Sequence, residues 1–92
     1  MRRLVVSKDF QKQIDGLSET EREKIQKTLK VLLASVKQGA MPKGLGFKKL
    51  DRDKYEIRVD IKTRIVLKVD EDAFILLLAG SHDQIKKHLK NL

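Results

Sequence analysis

Arg58, Arg64 and Lys68, with Lys48 and Lys49 upstream and His82 downstream, are the residues of this chain whose types could do chemistry together. Guanidinium forks pair with phosphate oxygens and stay charged as a phosphorane develops, while histidine supplies a proton carrier with a reference pKa near ~6.5. Gathered on one concave sheet face, such a set can grip a phosphodiester. The same residues also fit a solvated face, because exposed strands commonly carry cross-strand charge pairs and Glu56 and Asp60 flank Arg58 on its own strand. His82 equally fits a first-turn helix residue without chemical duty. His88 is expected at the surface, and Lys86, Lys87 and Lys90 suit a solvated helix face near a C-terminus.

The elements that must position these residues follow from periodicity. Leu4, Val5 and Val6 predict a short strand, and Phe10, Ile14 and Leu17 form one stripe on a short helix. Ser18 and Glu21 make a capping box that starts a second helix. Its stripe is Ile25, Leu29, Leu32 and Val36, its outward face carries Glu23, Lys27, Lys30 and Lys37, and Gly39 followed by Pro42 stops it. The two helices are expected to pack antiparallel. Residues 39–46, with three of the five glycines and the sole proline, form the one seam, and the period then changes from helical to alternating.

Strands are predicted over 47–50, 55–59 and 64–69, the last two with one wet face. Residues 74–79 are apolar throughout, as in a central strand covered on both sides, and Gly80 breaks that strand. The links at 51–54, 60–63 and 70–72 are hairpin lengths, so the strands form an antiparallel meander. Ser81 and Gln84 offer another capping box, leading into a helix with Ile85, Leu89 and Leu92 inward. The expected order is β-α-α-β-β-β-β-α. This is an α+β domain spanning residues 1–92, with a mostly antiparallel sheet, two N-terminal helices on one face and a short C-terminal helix.

Composition removes several classes of function. With 92 residues the chain builds one modest core, and 21 Lys and Arg against 13 Asp and Glu leave a formal charge of +8, which favours a polyanionic partner. No cysteine is present, which excludes disulfides, thiolate metal sites and cysteine nucleophiles. Asp51 with Asp53, and Asp70 with Glu71 and Asp72, fall where aspartate is favoured for local turn bonding rather than for a metal. Gly44-Leu45-Gly46 lacks the third glycine and helix start of a phosphate cradle, and the few aromatics sit on apolar stripes rather than on a base-stacking platform. The N-terminal apolar stretch is too short for a signal peptide and the run 73–79 too short to span a bilayer, so a cytoplasmic protein without membrane contact is expected.

Tyr55-Glu56-Ile57-Arg58-Val59, Thr63-Arg64-Ile65-Val66-Leu67, and the apolar strand ending in Gly80-Ser81-His82-Asp83-Gln84-Ile85 resemble the C-terminal half of RelE/ParE superfamily toxins of type II toxin–antitoxin systems. The preceding strand and helix pair match as well. In the RelE branch the resemblance implies a toxin that inhibits translation as a ribosome-dependent, metal-independent endoribonuclease (mRNA interferase), with no cofactor. It assigns catalysis to Arg58, Arg64 and His82, while the basic residues Lys48, Lys49, Lys68 and Lys86 are expected to bind RNA and Glu56 to act either as a base or as a partner of Arg58. Two positions depart from the pattern: Lys86 stands where several ribonuclease members have an aromatic residue, and Glu56 where one pattern has lysine. The implied partners are a cognate acidic antitoxin, ribosome and mRNA, and operator DNA indirectly through the antitoxin complex. A ParE-like poison of DNA gyrase, or a non-catalytic basic binding module, shares the same fold.

Overall fold

The computed structural model describes residues 3–39 and 44–89. The elements are β1 (Arg3–Val6), α1 (Lys8–Asp15), α2 (Glu19–Lys37), β2 (Lys48–Asp51), β3 (Lys54–Arg58), β4 (Arg64–Val69), β5 (Ala73–Gly80) and α3 (His82–Leu89), in the expected order. Pro42, Lys90 and Leu92, used above for a helix stop and a helix face, lie outside the described residues.

Local chemistry sets the helix ends. Ser18 Oγ accepts the Glu21 amide at 3.2 Å, and its hydroxyl donates to the Glu21 carboxylate at 3.1 Å, so the side chains close on each other. At the other end of α2, Gly39 takes φ +70° and donates its amide to Val36, a left-handed stop that suits glycine. Ser7 caps α1 by accepting the Phe10 amide at 3.1 Å.

Five strands form one sheet in the order β1-β5-β4-β3-β2. β2 to β5 are the expected antiparallel meander, and β1 lies parallel to β5 at the edge. The main core lies on one face, where Phe10 of α1 and Ile25, Leu32 and Val36 of α2 meet Ile57, Ile65, Leu67, Phe74 and Leu76 of the sheet. Each large side chain there contributes about 1.5–3 kcal/mol by leaving water.

The second face is not open, as one wet face per strand had implied. Ile85 of α3 packs on Val66 and Leu78, with Leu50, Leu77 and Leu89 around them, and Val66 is fully buried. The apolar stripe of a third helix requires an apolar patch beneath it, and Val66, alternating with Arg64 and Lys68, provides it. A bulge makes this possible: Leu67 pairs with Leu76 but Val66 with Leu78, so Leu77 is the extra residue on β5. Leu76 therefore faces α1 and α2 while Leu78 faces α3, and Gly80 arrives opposite Arg64. Gly80 ends β5 as a strand residue instead of standing beyond it.

Candidate functional site

Strand register builds the site row by row on the α3 side of the sheet. Arg58, Arg64 and Gly80 are mutual neighbours across β3, β4 and β5, so the two guanidinium stems stand side by side at one end of the sheet. Like charges placed directly opposite repel, which is a cost the fold carries at this point. The next row is Lys48, Glu56, Val66 and Leu78, and further along Lys54, Lys68 and Ile75 share a row.

The two arginines are held differently. The Arg58 amide donates to the Leu45 carbonyl at 2.7 Å, so the loop before β2 is tied to the end of β3. Gly46 lies against this arginine: a Cβ there would sit 3.5 Å from Arg58 Cβ, and its φ of +62° suits glycine. The Arg58 side chain is exposed, and among the described residues no carboxylate lies within ion-pair distance of it. Arg64 is half-buried, with Nη1 3.4 Å from Glu56 Oε2. Glu56 thus pairs across the strands with Arg64, not along its own strand with Arg58.

Glu56 is 2% exposed, and its second oxygen, Oε1, is buried without a hydrogen-bond partner. Burying a carboxylate oxygen in this way costs about 1–3 kcal/mol, which the pairing of Glu56 with Arg64 must offset. Asp60, the other acid beside Arg58 in sequence, is engaged elsewhere. It accepts the Lys62 and Thr63 amides at 2.8 and 2.7 Å and meets Lys24 Nζ of α2 at 3.3 Å, fixing the β3–β4 hairpin. The amides of Thr63 and Lys62 hold its carboxyl below the usual carboxylate range, against an opposing effect of burial and with Lys24 adding to the lowering.

His82 is the first residue of α3 and is exposed two positions beyond Gly80. Its placement rests on the reciprocal cap beside it: Gln84 donates its amide to Ser81 Oγ at 3.2 Å, and Ser81 donates its own to Gln84 Oε1 at 2.8 Å. Gly80 makes room for that cap, since a Cβ there would come within 2.7 Å of Gln84 Oε1. Lys86 lies one turn on from His82, on the same side of the helix and exposed.

The lysines divide. Lys48 shares the α3-side row with Glu56, whereas Lys49 is opposite Tyr55 and so belongs to the other face. Lys68 lies 3.7 Å from Asp53, which also meets Lys54 at 3.8 Å. Asp70 accepts the Asp72 and Ala73 amides at 2.9 and 2.7 Å, the turn bonding expected of it. Among the described residues no group of three potential metal ligands occurs, and no helix is long and apolar enough to cross a membrane.

No family model and no curated protein matches the chain. Solved structures do. A chain of the intact RelBE toxin–antitoxin complex of E. coli is 24% identical, with 88% of this chain and 96% of that chain covered at a TM-score of 0.65. The E. coli DinJ–YafQ toxin–antitoxin complex gives 12% identity over 91% and 96%, at 0.72. The RelB–RelE complex of Methanococcus jannaschii gives 16% over 91% and 96%, at 0.70. The fold of this chain is the RelE/YafQ toxin fold.

Proposed function

We propose that this protein is the toxin of a type II toxin–antitoxin pair and inhibits translation as an endoribonuclease that cuts mRNA on the ribosome. The observation that carries the reading is the row formed by Arg58 and Arg64, opposite one another on a shared face, with Glu56 behind and the His82-bearing helix head beyond Gly80. The fold it shares with toxins solved in complex with antitoxins supports the same reading.

In this mechanism the ribose 2′-hydroxyl gives its proton to solvent water as its oxygen attacks the neighbouring phosphorus; the O2′–P bond forms and the P–O5′ bond breaks, leaving a 2′,3′-cyclic phosphate and a 5′-hydroxyl. Arg58 and Arg64 neutralise the equatorial oxygens of the phosphorane, and His82 gives its proton to the departing 5′-oxygen. Glu56 holds Arg64 in place. For Glu56 itself to take the 2′-hydroxyl proton, the buried Oε1 must come to the surface, so a base role and a holding role differ in whether glutamine can substitute. In this reading Lys48, in the row of Glu56, and Lys86, exposed one turn beyond His82, contact the RNA backbone. Lys68 reaches it only by leaving Asp53, and Lys49 only around the edge of the sheet.

The partner in this reading is an acidic antitoxin, through which the complex reaches operator DNA. Leu4, Leu29 and Leu33, with Lys30 beside them, line an apolar groove that suits an amphipathic acidic segment. Induced expression tests the function: growth arrest with mRNA cut on ribosomes, relieved by Arg58→Ala and Arg64→Lys, supports it. Arrest with intact mRNA and broken DNA moves the chain to the gyrase-poison class, and no arrest makes it a binding module.

A further inference from the structure

A cleft of about 440 Å³ lies around the end of the sheet from the arginine row, between the end of α1, the β3–β4 hairpin and the head of α3. Its size falls within the range of small-ligand sites. Thr63 and Gly80 line it, and these are the chain neighbour and the cross-strand partner of Arg64, so the cleft and the arginine row share a rim.

Every wall is tied down. Gln13 of α1 accepts the Ala79 amide of β5 through Oε1 at 2.8 Å, Asp60 locks the hairpin that carries Lys62 and Thr63, and the Ser81–Gln84 cap fixes the helix head. The same bonds dictate which groups remain to a ligand. Because Gln13 Oε1 faces the Ala79 amide, its NH2 group is the free end, and because Ser81 Oγ accepts from Gln84, its hydroxyl proton is left to donate. Lys12 and Lys62 add two ammonium groups against one carboxylate in the lining, Glu21, one oxygen of which is bonded by the Ser18 hydroxyl. Leu17 and Ala79 offer apolar surface between them. The cleft is therefore rich in donors, cationic at its edges and partly apolar, which matches a phosphate joined to a flat ring bearing carbonyl acceptors.

We propose that this cleft is a nucleotide subsite that takes the residue of the RNA strand next to the scissile phosphate and prefers a carbonyl-bearing base, such as guanine, over adenine, which bears none. The subsite rests on the endoribonuclease reading for its place along the strand, and its occupancy is measurable without any cutting.

The test is NMR titration of the ¹⁵N-labelled protein with guanosine and adenosine 3′-monophosphates, with inorganic phosphate, and with a dinucleotide made uncleavable by a 2′-deoxy sugar. The expected result is amide shifts at Gly16, Thr63, Gly80 and Ser81, with guanosine binding about threefold or more tighter than adenosine. The dinucleotide should bind about tenfold tighter than either and also shift Arg64. In Gly16→Gln the binding should weaken about tenfold. That position has φ −88°, and a Cβ there meets only carbonyl oxygens, at 3.7 and 3.8 Å, so the variant folds while crowding the cleft. Equal shifts with inorganic phosphate, a mononucleotide binding as tightly as the dinucleotide, or no shift in the cleft each overturn the proposal. Shifts as expected in a protein that cuts no RNA would leave the subsite standing and remove the nuclease reading; cutting without those shifts would do the reverse.

Discussion

Replacing Glu56 separates what stabilises this fold from what the site needs. At 3.4 Å, and with an effective dielectric constant of about 20, the attraction between Glu56 and Arg64 is about 5 kcal/mol. Against it stand several kcal/mol for taking the carboxylate out of water and about 1–3 kcal/mol for the buried Oε1 without a partner. The two sides nearly cancel. Glu56→Met, which fills the same space beside Val66 and leaves Arg64 free to use its 24% side-chain exposure, should change stability by less than about 1 kcal/mol. Arg64→Ala strands a carboxylate whose side chain is only 3% exposed and should cost about 3 kcal/mol. With a urea slope of about 1.2 kcal/mol/M, this is a midpoint lower by about 2.5 M. The double variant should return to within about 1 kcal/mol of Glu56→Met. Cleavage by Glu56→Met should nevertheless fall about tenfold or more, because Arg64 loses its alignment. If Glu56→Met unfolds as easily as Arg64→Ala, the pair is a structural brace and the holding role has no basis.

Gly46→Ala should destabilise by about 1 kcal/mol through its left-handed backbone and should reduce cleavage by displacing Arg58, both read from denaturation and kinetics on one preparation. Asp60→Asn should lower the melting temperature at neutral pH. The folded carboxyl titrates below its ordinary value of 3.8, so its contribution is complete above that value and is lost as pH falls through the folded pKa. The gap between wild type and variant should therefore close below about pH 3.8 in a series of thermal melts. Lys86→Ala should reduce the slope of log affinity for single-stranded RNA against log salt by about 0.7, the signature of one lost phosphate contact; an unchanged slope places Lys86 off the RNA path.

Element order and helix ends were legible because they are local. The Ser18 and Ser81 boxes, the Ile25-to-Val36 stripe and the alternation around Ile57 and Ile65 each lie within a few residues. The pairing of Arg58 with Arg64 was likewise readable, since a short polar link fixes their register. What escaped depends on contacts far apart in sequence. β1 sits parallel to β5, Gln13 bonds Ala79 across 66 positions, and the bulge at Leu77 has no residue signature of its own. The closure of the second face did leave a trace in the lone Val66 among basic neighbours, matched by the Ile85 and Leu89 stripe. Reading the two together finds α3 over the sheet and Glu56 buried beside it. Lys49 misled because adjacent strand residues face opposite sides, so Lys48 and Lys49 cannot serve one surface.

The central claim is tested most directly with purified protein on ribosomes programmed with a defined mRNA, by following the chemistry of the new ends. Wild type should yield 2′,3′-cyclic phosphate and 5′-hydroxyl termini, and Arg58→Ala, whose exposed side chain makes no ion pair among the described residues, should remain folded yet cut about a hundredfold more slowly. Intact mRNA with wild type, or cutting by Arg58→Ala at the wild-type rate, would contradict the account.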